Sequence, residues 1–235
     1  MRRRRDTDHT ALCVARRERG VRLKSLRRRS GLGARDTDPG AEGGERRKAS
    51  SHAHQHSDAV HAERFVARLA STRIGATFNF YGEGRGAGVR RARLRAYLEA
   101  HAGAPLLLVG EAAGYRGARV SGIPFTSERQ LTGAGPAEAT ATIVQRTLAE
   151  LGLEVLCWNV VPTHPGTPTS NRRPSPAEVE ASRPFLEEVA AGRRILAVGR
   201  LAAEVTGASY IRHPAHGGAA EFRAGLLRFA AGGRP

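Results

Sequence analysis

Apolar positions are thinly scattered through the first 56 residues and then fall into a regular beat. Residues 1–56 are rich in Arg, Gly, Ser, Asp and His and sustain no apolar period. This predicts a disordered basic tail over 1–56 and a folded domain over 57–235. From Ser57 the spacing changes. Ser57 or Asp58 stands as a cap before Val60, Phe65, Val66 and Leu69, which share one face of a helix. Phe78, Asn79, Phe80 and Tyr81 follow in a loop that ends in the Gly-rich stretch 82–88, and a basic helix is predicted over 89–101. Short apolar runs then alternate with longer amphipathic ones. Strands are predicted at 105–109, 154–159, 194–198 and 209–212, and helices at 136–151, 176–191, 201–206 and 218–229. Ser175 ahead of Pro176 supplies a side-chain cap and a proline at a first helical position. The alternation predicts an α/β fold, a three-layer α/β/α sandwich with a central four-stranded parallel sheet. Ligands of such sheets sit beyond the carboxyl ends of the strands, which singles out the segments starting at Gly110, Asn159, Gly199 and His213.

Charge sharpens the picture. Thirty-eight Lys plus Arg against 22 Asp plus Glu give a net charge of +16, which favours a polyanionic partner. Residues 1–50 carry +9 of it and the remainder +7. Arg-rich tails also arise from GC-rich coding, so the tail reads either as a nucleic-acid tether or as an over-extended reading of the gene. No apolar run approaches the roughly 20 residues of a membrane span, and no secretory leader is visible. Cys13 and Cys157 are the only cysteines, which argues against a disulfide scaffold and suits a reducing cytoplasm. Two thiols do not make a typical iron–sulfur or Cys-rich zinc site. His52, His54 and His56 lack acidic or Cys partners and read as a solvated tract. No metal or cofactor is expected.

Four segments carry candidate chemistry. Gly110-Glu111-Ala112-Ala113-Gly114 has small residues that let backbone N–H groups approach a ligand, or that simply make a tight turn. It is neither a GxGxxG nor a Walker loop, which disfavours nucleotide cofactors. In Ser121-Gly122-Ile123-Pro124-Phe125 the ring either stacks on a planar base or plugs the core. In Asn159-Val160-Val161-Pro162, followed by His164 and Asn171-Arg172-Arg173-Pro174, the Asn159 carboxamide either reads a pyrimidine edge or caps a loop. Arg212-His213-Pro214-Ala215-His216-Gly217-Gly218 leads into a helix, whose first N–H groups suit a phosphate. His213 there is either structural or a donor to an oxygen that gains charge.

Taken in order, these segments resemble the uracil-DNA glycosylase superfamily, most closely its bacterial and archaeal family-four branch. The likeness covers about Pro105 to Phe229. It rests on Gly110-Glu111-Ala112-Ala113-Gly114, Gly122-Ile123-Pro124-Phe125, Asn159-Val160-Val161, Asn171-Arg172-Arg173-Pro174-Ser175-Pro176 and His213-Pro214-Ala215. Arg183-Pro184-Phe185-Leu186 and Val198-Gly199-Arg200 look like its connecting pieces. The resemblance implies hydrolysis of the N-glycosidic bond of uracil, or a related deaminated base, flipped out of DNA during base excision repair. The expected partner is DNA containing such a base, and the expected state a cytoplasmic monomer. The resemblance gives Glu111, Ala112 and His213 catalytic roles and places Gly110, Phe125 and Asn159 around the base. It puts Asn171, Arg172, Arg212, His216, Gly217 and Gly218 on the DNA.

Three features depart from the family pattern. Ala113 stands where the family has Pro, the acidic residues that follow are replaced around Tyr115-Arg116-Gly117-Ala118, and the spacing to Phe125 is one residue longer. The cluster cysteines are missing. Water activation is left without an assigned group, which predicts slow turnover or another base such as hypoxanthine or an oxidised pyrimidine. The competing reading is a catalytically silent DNA- or nucleotide-binding protein that keeps the fold. A small-molecule α/β hydrolase is disfavoured because no Gly-x-Ser-x-Gly elbow occurs.

Overall fold

The computed structural model describes residues 61–233. The tail 1–56, the capping residues Ser57 and Asp58, Val60, Cys13 and the histidines at 52, 54 and 56 lie outside the described residues. Four parallel strands, β1 (Leu106–Ala112), β2 (Val155–Val161), β3 (Arg194–Val198) and β4 (Ser209–Ile211), form one sheet in the order β2-β1-β3-β4. Helices cover both faces: α1 (residues 61–71), α2 (Ala87–Ala100), α3 (Ala118–Ser121), α4 (Glu128–Thr132), α5 (Ala139–Leu151), α6 (Pro176–Ala190), α7 (Arg200–Thr206) and α8 (Ala219–Ala230). The predicted three-layer α/β/α sandwich is the fold observed.

Side chains alternate across a strand, and here the alternation sorts two cores. Leu107, Val109, Leu156, Trp158 and Ala197 join Phe65, Val66 and Leu69 of α1, Phe185, Leu186 and Val189 of α6, and Ala202 of α7. Phe65 meets the rings of Trp158 and Phe185 edge-on, at 5.4 and 5.6 Å between centroids. Leu106, Leu108, Val155, Cys157, Leu196 and Val198 face the other way, against Val144 and Leu148 of α5 and Phe222, Leu226 and Phe229 of α8. Both strand faces are buried, so the strands read as continuous apolar runs.

Several predicted boundaries move. β1 continues through Gly110, Glu111 and Ala112, and β2 through Val160 and Val161, because Gly110 pairs with Asn159 and Ala112 with Val161. The segments at Gly110 and Asn159 are therefore the last rungs of the sheet, not loops beyond it. The helix expected from residue 136 starts at Ala139, with Glu138 in the capping position. Helices α3 and α4 are too short for an apolar period to announce them.

The sheet order places β1 between strands reached by crossovers in opposite directions. That reversal opens a crevice at the carboxyl ends of the strands. Around it the loops are tied together. Phe78 and His164 exchange backbone hydrogen bonds of 2.9 and 3.1 Å, and the buried His164 ring bridges the carbonyls of Ala113 and Thr167 at 2.7 and 2.8 Å.

Candidate active site

A cleft of about 400 Å³, counting its open mouth, lies at that rim. Gly110, Glu111, Ala112, Phe125, Asn159 and His213 line it together with Gly114, Ala118, Glu138 and Thr140. The chain thus brings to one cavity six residues that the sequence scatters over a hundred positions.

Gly110 is the floor. It sits opposite Asn159 in the β1–β2 register. A Cβ on Gly110 would run into the Phe125 ring and lie 2.9 Å from Asn159 Oδ1. Only a residue without a side chain lets the ring and the carboxamide close over this rung.

Phe125 is fixed by its loop. Its backbone is left-handed, with φ of 50°, a region a bulky side chain avoids unless its surroundings hold it there. Gln145 of α5 donates to the Phe125 carbonyl (3.1 Å) and to Thr126 Oγ1 (3.3 Å). Ser121 Oγ donates to the Thr126 carbonyl (2.6 Å) and receives the Ile123 amide (3.1 Å). Phe125 packs with the α5–α8 core and also reaches the cleft, so one ring serves both places.

Asn159 is 4% exposed. Buried carboxamides are ordinarily hydrogen-bonded. This one bonds to no described residue, yet it is not sealed off, because it opens into the cleft. A donor and an acceptor stand side by side there, ready for a ligand edge.

His213 follows β4. The Ala215 amide donates to its Nδ1 at 3.2 Å, which makes Nδ1 the acceptor and leaves the neutral ring's proton on Nε2. Although the residue is exposed on one side, desolvation by the protein around it, with His216 nearby, lowers its pKa from the ordinary 6.5. Both effects favour a neutral imidazole with Nε2–H as the donor. His216 and Gly217, both left-handed at φ 52° and 80°, turn the chain from this histidine into α8.

Glu111 faces the other side of β1 from Gly110, following the strand alternation. Burial raises its pKa, the Arg173 guanidinium opposes that, and Glu204 adds to it. Arg173 and Glu204 are themselves paired at 3.2 Å. Ala112 ends the strand at the rim.

The residues expected on DNA lie in the flanking loops, outside the cleft lining. Asn171 Oδ1 accepts the Tyr115 amide (3.0 Å), tying the loop after β2 to the loop after β1. Arg172 forks onto Glu178 at 2.7 and 2.5 Å, which makes it a clamp on the start of α6. Arg212 Nε pairs with Glu221 (3.2 Å), and its guanidinium also reaches the His216 carbonyl (3.4 Å). Gly218 caps α8, with His216 and Gly217 exposed just before it.

Glu138 and Thr140 are the polar residues that sequence reasoning missed. Starting α5 at residue 136 made Glu138 an ordinary acidic residue in a first helical turn, where the dipole alone explains it. Among the described residues, no group of three or more His, Cys, Asp or Glu could hold a metal ion.

The sheet and cleft define a doubly wound α/β protein with a cleft where the strand order reverses. The family model "Uracil DNA glycosylase superfamily" matches residues 99–226, 128 of the 235, and the chain belongs to that superfamily. No curated protein matches the chain in sequence. A solved structure described as the crystal structure of WT Pedobacter heparinus SMUG2 has a similar fold, with a TM-score of 0.53 and 13% identity. The match covers 73% of this chain and 95% of that one. Members of the superfamily are DNA glycosylase hydrolases and act on DNA.

Proposed function

We propose that this protein hydrolyses the N-glycosidic bond of uracil, or a related deaminated base, flipped out of DNA, and leaves an abasic site for base excision repair. The observation that carries this reading is the buried Asn159 carboxamide, unpaired among the described residues and set beside the Phe125 ring over a side-chain-free floor. Such a group fits the edge of a pyrimidine, donating to a ring carbonyl and accepting from a ring N–H. Phe125 stacks on the face of the same ring.

The energetics follow the same geometry. Flipping costs a few kcal/mol of unstacking and unpairing, and least for a mispaired base such as uracil opposite guanine. As the bond breaks, negative charge gathers on the base oxygens, and the His213 Nε2–H is a fixed donor for one of them. Backbone groups of Glu111 and Ala112 border the same space. The positive end of α8, with Gly217 and Gly218, and the Arg212 loop come directly after His213 and suit a phosphate of the flipped nucleotide.

The test is direct. Incubating the full-length protein with a uracil-containing oligonucleotide, then treating with alkali, should cut the strand at the uracil. No abasic product from uracil, hypoxanthine or xanthine, in single- or double-stranded DNA, overturns the reading.

A further inference from the structure

The loop after β1, residues 113–117, carries no carboxylate of its own. The fold supplies one from elsewhere. Glu138, the residue that caps α5, lies over the bare backbone of that loop. A Cβ on either Gly114 or Gly117 would run into its carboxylate oxygens. These two glycines form a bay, and the bay opens into the cleft that holds Gly110, Phe125, Asn159 and His213.

Three further observations separate Glu138 from an ordinary surface acid. It is only half-buried as a residue, yet its carboxylate makes no hydrogen bond or ion pair with any described residue. Of the other acids near this rim, Glu178 is engaged by Arg172 and Glu204 by Arg173, while Glu111, also without a hydrogen bond to a described residue, feels the Arg173 charge. Burial is the sole influence on its pKa, which is raised from 4.5, so the group is a stronger proton acceptor than a solvated glutamate. The other titratable groups lining the cleft are Glu111 on β1 and His213 after β4. Glu111 answers to Arg173 and Glu204 on the far side of its strand, and His213 is placed to donate.

We infer that Glu138 is the general base that activates water in this cleft, a catalytic carboxylate delivered by the start of α5. This assignment rests on the glycosylase reading above. A water held by Glu138 attacks C1′ of the deoxyribose. The C1′–N1 bond breaks and its electron pair leaves with uracil as an anion, which His213 stabilises. The water oxygen bonds to C1′, one water proton passes to the Glu138 carboxylate, and that proton returns through solvent to the departing base. The products are an abasic site and neutral uracil, with one water consumed.

The deciding experiment is single-turnover uracil release by the full-length protein, followed from pH 4.5 to 9, for the wild type, Glu138→Gln and Glu138→Ala. General-base catalysis contributes about 10²–10⁴-fold, so Glu138→Gln should lose at least ~10²-fold in rate. Its affinity for uracil-containing DNA and its thermal midpoint should stay near wild type. On the acid side, the slope of log rate against pH should fall by one unit in Glu138→Gln. Added formate should restore part of the rate to Glu138→Ala, an effect that a purely structural role would not give. A Glu138→Gln rate within threefold of wild type, or a loss found instead in Glu111→Gln with Glu138→Gln active, overturns the assignment. A wild type that releases no base at any pH overturns the glycosylase reading itself, and this one with it.

Discussion

At the scale of single residues, the site depends on one missing side chain and one unpaired amide. Gly110→Ala puts a methyl group where the Phe125 ring and Asn159 Oδ1 already sit, so the cleft must open or the ring must move. Displacements of about 1 Å in a positioned site cost ~10²-fold, and a fall of that order in kcat/KM is the expected outcome. Steady-state kinetics on a uracil oligonucleotide check it. Asn159→Ala should lose activity by a similar factor while leaving the urea midpoint unchanged or slightly higher. The reason is that the carboxamide bonds to no described residue, so its removal relieves a buried polar group without breaking an internal bond. A clear loss of stability would show that this amide is structural. His213→Ala removes the one imidazole donor in the cleft, and removal of such a donor costs about 10²–10³-fold in kcat.

At the scale of elements, the start of α6 is where charge holds the site's frame. Ser175 caps the helix, accepting from the Glu178 amide at 3.3 Å, while Glu178 reaches back to the Ser175 amide at 2.9 Å. The same carboxylate takes the Ala76 amide (3.3 Å) and the Arg172 fork. It therefore joins the loop after α1, the loop after β2 and the helix itself. The Arg172 guanidinium holds the Glu178 carboxyl at about 2, against an ordinary 4.5. Because the folded value is the lower one, the stability it contributes is complete above 4.5 and is lost as pH falls from there towards 2. Arg172 is partly exposed, which trims the contribution to about 2 kcal/mol. Urea titrations at pH 7 and pH 3 should show Glu178→Gln less stable at pH 7, with the deficit clearly smaller, though not abolished, at pH 3. Equal deficits at both values would contradict the linkage.

At the scale of the molecule, the charge is unevenly divided, with +9 of the +16 in residues 1–50. Release of counterions ties DNA affinity to salt in proportion to the phosphates neutralised. Removing residues 1–50 should weaken low-salt binding and flatten the plot of log affinity against log salt, while thermal unfolding of the remainder stays cooperative. An unchanged slope in a fluorescence-anisotropy titration would mean that these charges do not engage DNA.

The alternation of apolar runs was enough to determine the class of fold and the order of strands and helices, because burial on both sides of a parallel sheet leaves a local, one-dimensional trace. The candidate residues at the strand ends were legible for the same reason, since such sheets keep their crevice at one edge. Strand length was not. Glycine at 110 reads locally as a break, and only its pairing with Asn159 makes it a rung. Whether Phe125 fills the core or faces a ligand was equally undecidable along the chain, and the fold has it do both. The resemblance puts Arg172 on DNA, and only the fold brings Glu178 to its guanidinium. Glu138 shows the limit most plainly. Apart from Thr140, its neighbours in the cleft come from other elements of the chain, and nothing in its own surroundings along the chain marks it. Crossover connections and strand register bring them together, and those are properties of the folded backbone alone.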